Sequence, residues 1–178
     1  MTWCLTYSGK KFDIVDPKPE QICIKDIAHA LSKQCRFNGH CREFYSVAQH
    51  SALVARFVSP EYRLAALLHD ATEAYVGDLV SPLKAMLPDF KVIENNIWQI
   101  IADKFGVPRE LPPEVKHVDL MMLATEKRDL MPALPESWPM LDGIEPVPSL
   151  IMPQSPAQAE QYFLHQFHLL TDGVWDDV

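Results

Sequence analysis

No C-x-x-C pair occurs among the four cysteines, Cys4, Cys23, Cys35 and Cys41, and their spacing fits no zinc finger. A disulfide scaffold or structural zinc site is therefore not expected, and each thiol reads as a small buried hydrophobe in a reducing cytoplasm. The opening MTWCLTYSGK lacks the apolar core of a secretory signal, and no apolar run is long enough to span a bilayer. Basic residues are too few for a nucleic-acid groove or an anionic membrane face: 16 Lys and Arg against 24 Asp and Glu leave a formal net charge of −8. There is no glycine pattern of a dinucleotide fold or P-loop, and no internal repeat or second domain. What remains is 178 residues, 48% apolar and 22% charged, which suits one globular domain able to bury a core without covalent help.

Helical periodicity dominates the chain. The segment TWCLTYSGKKFDIVDP, broken at Ser8-Gly9, reads as a short hairpin or extended arm. From Asp26 a short helix carries Ile27 and Leu31 to about Cys35, and Asn38-Gly39 marks the following loop. Ser46 is placed to cap a helix over 47–58, with Val47, Ser51, Val54 and Ala55 on one face. Pro60 opens a helix expected to run into His69-Asp70, Gly77 breaks it, and Ser81-Pro82 starts another short turn. An amphipathic helix over 89–105 ends at Gly106, and Pro113 opens the next. Between 131 and 155 lie six of the fifteen prolines, an irregular connection that packs on the body or covers a site. Ser155-Pro156-Ala157-Gln158 then begins a last helix over about 156–171, and the tail TDGVWDDV reads as frayed. The expected fold class is all-α, a compact helical bundle with a short extended N-terminal arm.

Polar groups inside these apolar stretches carry the chemistry. In LLHDATEAYVGDL, His69 and Asp70 stand where the chain enters the interior, which costs desolvation unless both are satisfied. His50 lies on the helix after Ser46, and Asp119 sits among Val118, Leu120, Met121 and Met122. Two imidazoles and two carboxylates suit Mn, Fe, Co, Ni or Zn better than Ca, and leave positions for water and phosphate oxygens. The run Glu126-Lys127-Arg128-Asp129 reads as a charged helix face with local pairs and no chemistry, and His40 as a turn histidine.

The order H…HD…D, within the stretches 45–51 (YSVAQHS), 69–73 (HDATE), 77–79 (GDL), 81–84 (SPLK) and 119–120 (DL), resembles the HD phosphohydrolase superfamily. The likeness spans about 26–131 and is closest to the subgroup of bacterial 5′-deoxynucleotidases, with small prophage HD proteins and phage dATP triphosphohydrolases nearby. The resemblance implies an HD-domain helical bundle and a divalent metal ion, Mn, Co, Zn, Ni, Fe or Mg, held by His50, His69, Asp70 and Asp119. It implies that Glu73 positions or activates the attacking water, and that Asp78 serves the nucleotide sugar or leaving oxygen. Arg36 and Lys84 would bind phosphate and Phe37 would stack on the base. The implied activity is hydrolysis of a deoxynucleotide between the α-phosphate and the 5′-oxygen, releasing phosphate or tripolyphosphate. A homo-oligomer is the implied assembly. Guanosine-tetraphosphate hydrolases fit less well, since Glu73-Ala74 holds only half of their acidic pair, and cyclic-dinucleotide phosphodiesterases carry a Gly-Tyr-Pro signature missing here. The competing reading is a catalytically silent module that binds a nucleotide or metal.

Overall fold

The Ser8-Gly9 break does fold the N-terminal arm back on itself. In the computed structural model, which describes residues 1–174, β1 (Trp3–Leu5) pairs antiparallel with β2 (Lys11–Asp13), Cys4 opposite Phe12. Phe12 is fully buried and stacks on Tyr75 with ring centroids 3.9 Å apart, so one inward aromatic ties the hairpin to the body. The rest is helical: α1 (Ile24–Lys33), α2 (Val47–Phe57), α3 (Arg63–Leu68), α4 (Glu73–Val76), α5 (Ser81–Ala85), α6 (Pro88–Phe105), α7 (Pro113–Leu130) and α8 (Pro156–Leu170). This is the all-α bundle with a short extended arm. Among the described residues, no helix is long and apolar enough to cross a membrane. Turns occupy 171–174, and the end of the tail read as frayed, 175–178, lies outside the described residues.

α8 packs against α1, α2 and α3, and α2 lies between α8 and α7. Ile27 and Leu31 of α1, Val47 and Val54 of α2, and Phe163 and Phe167 of α8 are fully buried in the shared core. Burial of six such side chains contributes of order 10 kcal/mol before conformational entropy is subtracted. Ser46 caps α2 as its position suggests, accepting from the Gln49 amide at 3.1 Å. Gly106, in the left-handed region at φ 69°, ends α6. α1 begins at Ile24, before Asp26, because Asp26 has another task. Its buried carboxylate accepts from the Ser8 amide at 2.6 Å and the Ser8 hydroxyl at 2.7 Å, pinning the hairpin.

α8 starts with a full capping box: Ser155 Oγ accepts from the Gln158 amide and Gln158 Oε1 from the Ser155 amide. Ser155→Ala is expected to cost about 1 kcal/mol, lowering Tm by about 2–4 °C for a chain of this size. A thermal melt followed by circular dichroism checks this, and an unchanged Tm would show that the cap carries no weight here.

The proline-rich connection is irregular but anchored. Prolines bring no amide hydrogens to satisfy, and side chains of α2 and α7 bond to part of the remaining backbone. Arg128 donates to the Val147 and Ser149 carbonyls at 2.8 and 2.9 Å, and Asp129 accepts from the Ile151 amide at 2.9 Å. Gln49 bridges the Met152 carbonyl and the Gln154 amide. The four cysteines form no disulfide, and the sulfurs of Cys35 and Cys41 lie 3.6 Å apart.

Candidate metal centre

The helix expected to carry His69-Asp70 ends one residue earlier, at Leu68. From there the chain tightens into successive turns, Ala71 N–H bonding to Leu68 C=O and Glu73 N–H to Asp70 C=O, before α4 begins at Glu73. Three-residue steps bring Asp70 and Glu73 to the same side, toward one cavity. Gly77, at φ 84° and ψ 157°, takes a conformation essentially closed to other residues and turns the chain so that Asp78 also faces that cavity. Gln34 clamps this turn from both sides: its amide donates to Glu73 C=O at 2.9 Å and its oxygen accepts from Asp78 N–H at 3.1 Å.

His50, His69 and Asp119 place their ligand atoms within 4.8 Å of one another, a potential metal-binding group. His69 Nδ1 donates to Ala66 C=O at 2.7 Å, leaving the Nε2 lone pair inward. His50 is fully buried, with Nδ1 2.6 Å from Glu126 Oε1. Both Nε2 atoms are buried without a hydrogen-bond partner. His50 Nε2 faces Asp119 Oδ1 at 3.1 Å and Asp70 Oδ2 at 3.6 Å, and His69 Nε2 lies 3.3 Å from Asp70 Oδ2. Burial and Arg36 push the His50 pKa down, but Glu126 and Asp119 together outweigh them and raise it to about 10. Burial raises Asp119, yet His50, His69 and Arg36 hold it below the usual carboxylate range. The geometry thus favours positive charge between these groups, and two unpartnered imidazole nitrogens beside two carboxylates fit a divalent cation of the borderline series.

Beside this cluster opens a cavity of about 580 Å³, a volume typical of small-ligand sites. Arg36, Phe37, Asp78 and Lys84 line it together with Asp70, Glu73 and Asp119, so every site residue expected from the sequence, apart from His50 and His69, borders one space. Arg36 is set by the pinched neck of its loop: its amide bonds to Tyr45 C=O at 2.9 Å, and the Val47 amide to Gln34 C=O at 3.1 Å. Its guanidinium bonds to Glu126 at 3.0 Å and lies 3.7 Å from Asp70. Phe37 and Asn38 both sit at positive φ, 56° and 51°, a strain of roughly 1–3 kcal/mol each that turns the Phe37 ring to the cavity. Lys84 is ion-paired with Glu94 at 2.8 Å and lies 3.5 Å from Glu73. Glu73 is buried, its Oε2 unpartnered, and burial, then Asp70 and Asp78, push its pKa up to about 9. Burial raises Asp78 as well.

Two parts of the site escaped the sequence reading. Glu126 is not on a solvated helix face. It is fully buried, while only Arg128 and Asp129 of that run form the expected local pair, at 2.6 Å. The signal was available, because Val118, Met122, Glu126 and Leu130 make one buried stripe at four-residue spacing. The other is Trp138, carried to the cavity rim by the proline-rich connection with its ring centroid 6.4 Å from that of Phe37. His40, read as a turn histidine, does follow Asn38-Gly39 but also lines the cavity.

No protein-family model matches the chain. It is 37% identical over 124 residues to an uncharacterized protein of Rhodobacter capsulatus, covering 64% of this chain and 63% of that one. To the uncharacterized protein YfdR of Escherichia coli K12 it is 43% identical over 173 residues, with 97% of each chain covered. At that identity over nearly the whole of both proteins, the chain belongs to the YfdR family.

Proposed function

We propose that the protein is a divalent-cation-dependent phosphohydrolase that cleaves the bond between phosphorus and the 5′-oxygen of a deoxynucleoside monophosphate. The observation that carries this reading is the convergence of two buried imidazole nitrogens, which make no hydrogen bond, with the carboxylates of Asp70 and Asp119, at the edge of a cavity that also holds an acid–base group and two cationic side chains. His50, His69, Asp70 and Asp119 would hold the cation, and the likeness of the H…HD…D pattern to HD phosphohydrolases supports that assignment. When bound, a cation of this class supplies Lewis acidity for activating water and neutralises charge at phosphorus. Glu73, held protonated in the metal-free pocket, would ionise once a bound cation offsets the Asp70 and Asp78 charges, and its side chain, in the cavity lining three residues past Asp70, would then take the proton of the attacking water. Arg36 and Lys84 hold the phosphoryl oxygens, Asp78 meets the sugar or leaving oxygen, and Phe37 with Trp138 offers an apolar wall for the base.

Charge selects the monophosphate. Four carboxylates line the cavity against Arg36 and Lys84, and both cations already face carboxylates. One phosphate group finds partners there; the two further phosphates of a triphosphate would find only His40 among the remaining basic lining residues. The test is to strip the protein of metal, restore Mn, Co, Mg or Zn singly, and assay deoxynucleoside mono- and triphosphates and ribonucleotides. Cation-dependent phosphate from the monophosphates is expected. Tripolyphosphate from a triphosphate would reverse the charge argument, and cation binding without turnover would favour the silent binding module.

A further inference from the structure

We propose that Glu126 is a positioning residue that ties the cation site to the phosphate-binding arginine. The inference rests on the metal-centre reading above. A carboxylate with no solvent exposure must be held by several partners, and Glu126 divides its two oxygens between two functional groups. Oε1 bonds to His50 Nδ1 at 2.6 Å, and Oε2 to Arg36 Nη2 at 3.0 Å. With a cation bound, the first contact would hold the remaining ring proton on Nδ1 and leave Nε2 as the ligand atom between Asp70 and Asp119, as a carboxylate behind a metal-binding histidine does. The second holds the guanidinium within 3.7 Å of Asp70 and at the cavity wall.

The helix geometry makes this grip stiff. Asp119 and Glu126 stand seven residues apart on α7, two turns along nearly the same face. One helix therefore meets His50 at both ring nitrogens, Asp119 at Nε2 and Glu126 at Nδ1. The contacts Asp119–His50–Glu126–Arg36–Asp70 return to the cation site through Asp70, which also lies 3.3 Å from His69 Nε2. A change at Glu126 must move two things at once: the orientation of a cation ligand and the aim of the cation that receives phosphate.

The test compares wild type with Glu126→Gln, an isostere that removes the charge. Titration of metal-stripped protein with Mn(II) by calorimetry is expected to show affinity about 10–100-fold weaker in the variant. At saturating Mn(II), binding of inorganic phosphate is expected to weaken in Glu126→Gln and in Arg36→Gln alike, with the double variant no worse than Arg36→Gln alone, because Glu126 acts on phosphate through Arg36. A purely structural role would lower Tm while leaving both affinities of the folded protein unchanged, and that result overturns the proposal. So does an additive double variant. If wild type binds Mn(II) but no phosphate, the hydrolase reading falls while the cation arm still decides whether Glu126 sets His50. If wild type binds no cation, the metal reading and this inference fall together. Should Glu126→Gln fail to fold, zinc-loaded wild type answers by proton NMR: a downfield, exchange-protected imidazole proton on His50 Nδ1 is expected, and its absence counts against the Glu126 contact.

Discussion

Glu73→Gln is expected to lose about 10²–10⁴-fold in kcat, the usual contribution of a positioned acid–base group, while the cation stays bound. The same variant is expected to be more stable than wild type. Burial, with Asp70 and Asp78 adding repulsion, holds the Glu73 pKa at about 9 against an ordinary 4.5, with Lys84 and Arg36 opposing the rise. Below pH 4.5 the folded and unfolded chains both carry the proton, so the shift costs nothing. Between 4.5 and 9 the unfolded chain releases a proton that the folded chain keeps, so stability falls as pH rises across that window. At pH 7 the cost is of order 1–3 kcal/mol, and glutamine escapes it. Melts of metal-stripped protein should therefore show Glu73→Gln several degrees above wild type at pH 7–8, converging near pH 4. Lys84 keeps Glu94 at 2.8 Å in the variant, so no lysine is stranded. Wild-type kcat in Glu73→Gln would remove the acid–base role, and a lower Tm at pH 8 would show that burying this carboxyl costs the fold nothing.

How much of this was legible depends on the range of the interaction. Local rules carry far: Ser46 and the Ser155–Gln158 pair cap α2 and α8, Gly106 stops α6, and Pro113 opens α7 because each acts within a turn of its own residue. His50 and Asp119 stood out because a bare polar group on an apolar helix face needs a partner. Glu126 satisfies the same rule but was hidden by its neighbours, since Lys127, Arg128 and Asp129 offer it an easy reading as a solvated face. Its place on the Val118–Met122–Leu130 stripe outweighs that company. The end of α3 at Leu68 was not legible, because no Gly or Pro marks the tightened turns over 69–72. Trp138 was not either. An irregular segment has no period, and Trp138 is met near Phe37 by a partner outside that segment, Lys127 of α7, whose ammonium bonds to the Glu136 carbonyl and lies over the Trp138 ring.

The second large effect separates damage to the pocket from the chemistry assigned to it. Asp119→Asn is expected to weaken cation binding at least about 100-fold, more than the change of an outer partner would, and to lower turnover by about 10³-fold or more. Its effect on stability should be opposite in sign to that of Glu73→Gln. Burial works against the Asp119 charge, but His50, His69 and Arg36 prevail and depress its pKa below 3.8. A depressed carboxylate stabilises the fold above its unfolded pKa, and that contribution is lost as pH falls through the folded value. Asparagine gives it up at every pH. Because the Asp119 side chain keeps 37% of its exposure, water screens the pair, and the loss is about 1 kcal/mol rather than the several of a dry ion pair. In metal-stripped protein at pH 7, then, Asp119→Asn should melt below wild type and Glu73→Gln above it, though both are expected to lose turnover when the cation is restored. Two carboxylates in one cavity are pushed in opposite directions in the metal-free protein, one toward holding a proton and the other toward holding positive charge, and the proposed hydrolytic centre would use them differently. If both variants melted below wild type, the pocket would be a structural polar cluster whose members simply need one another.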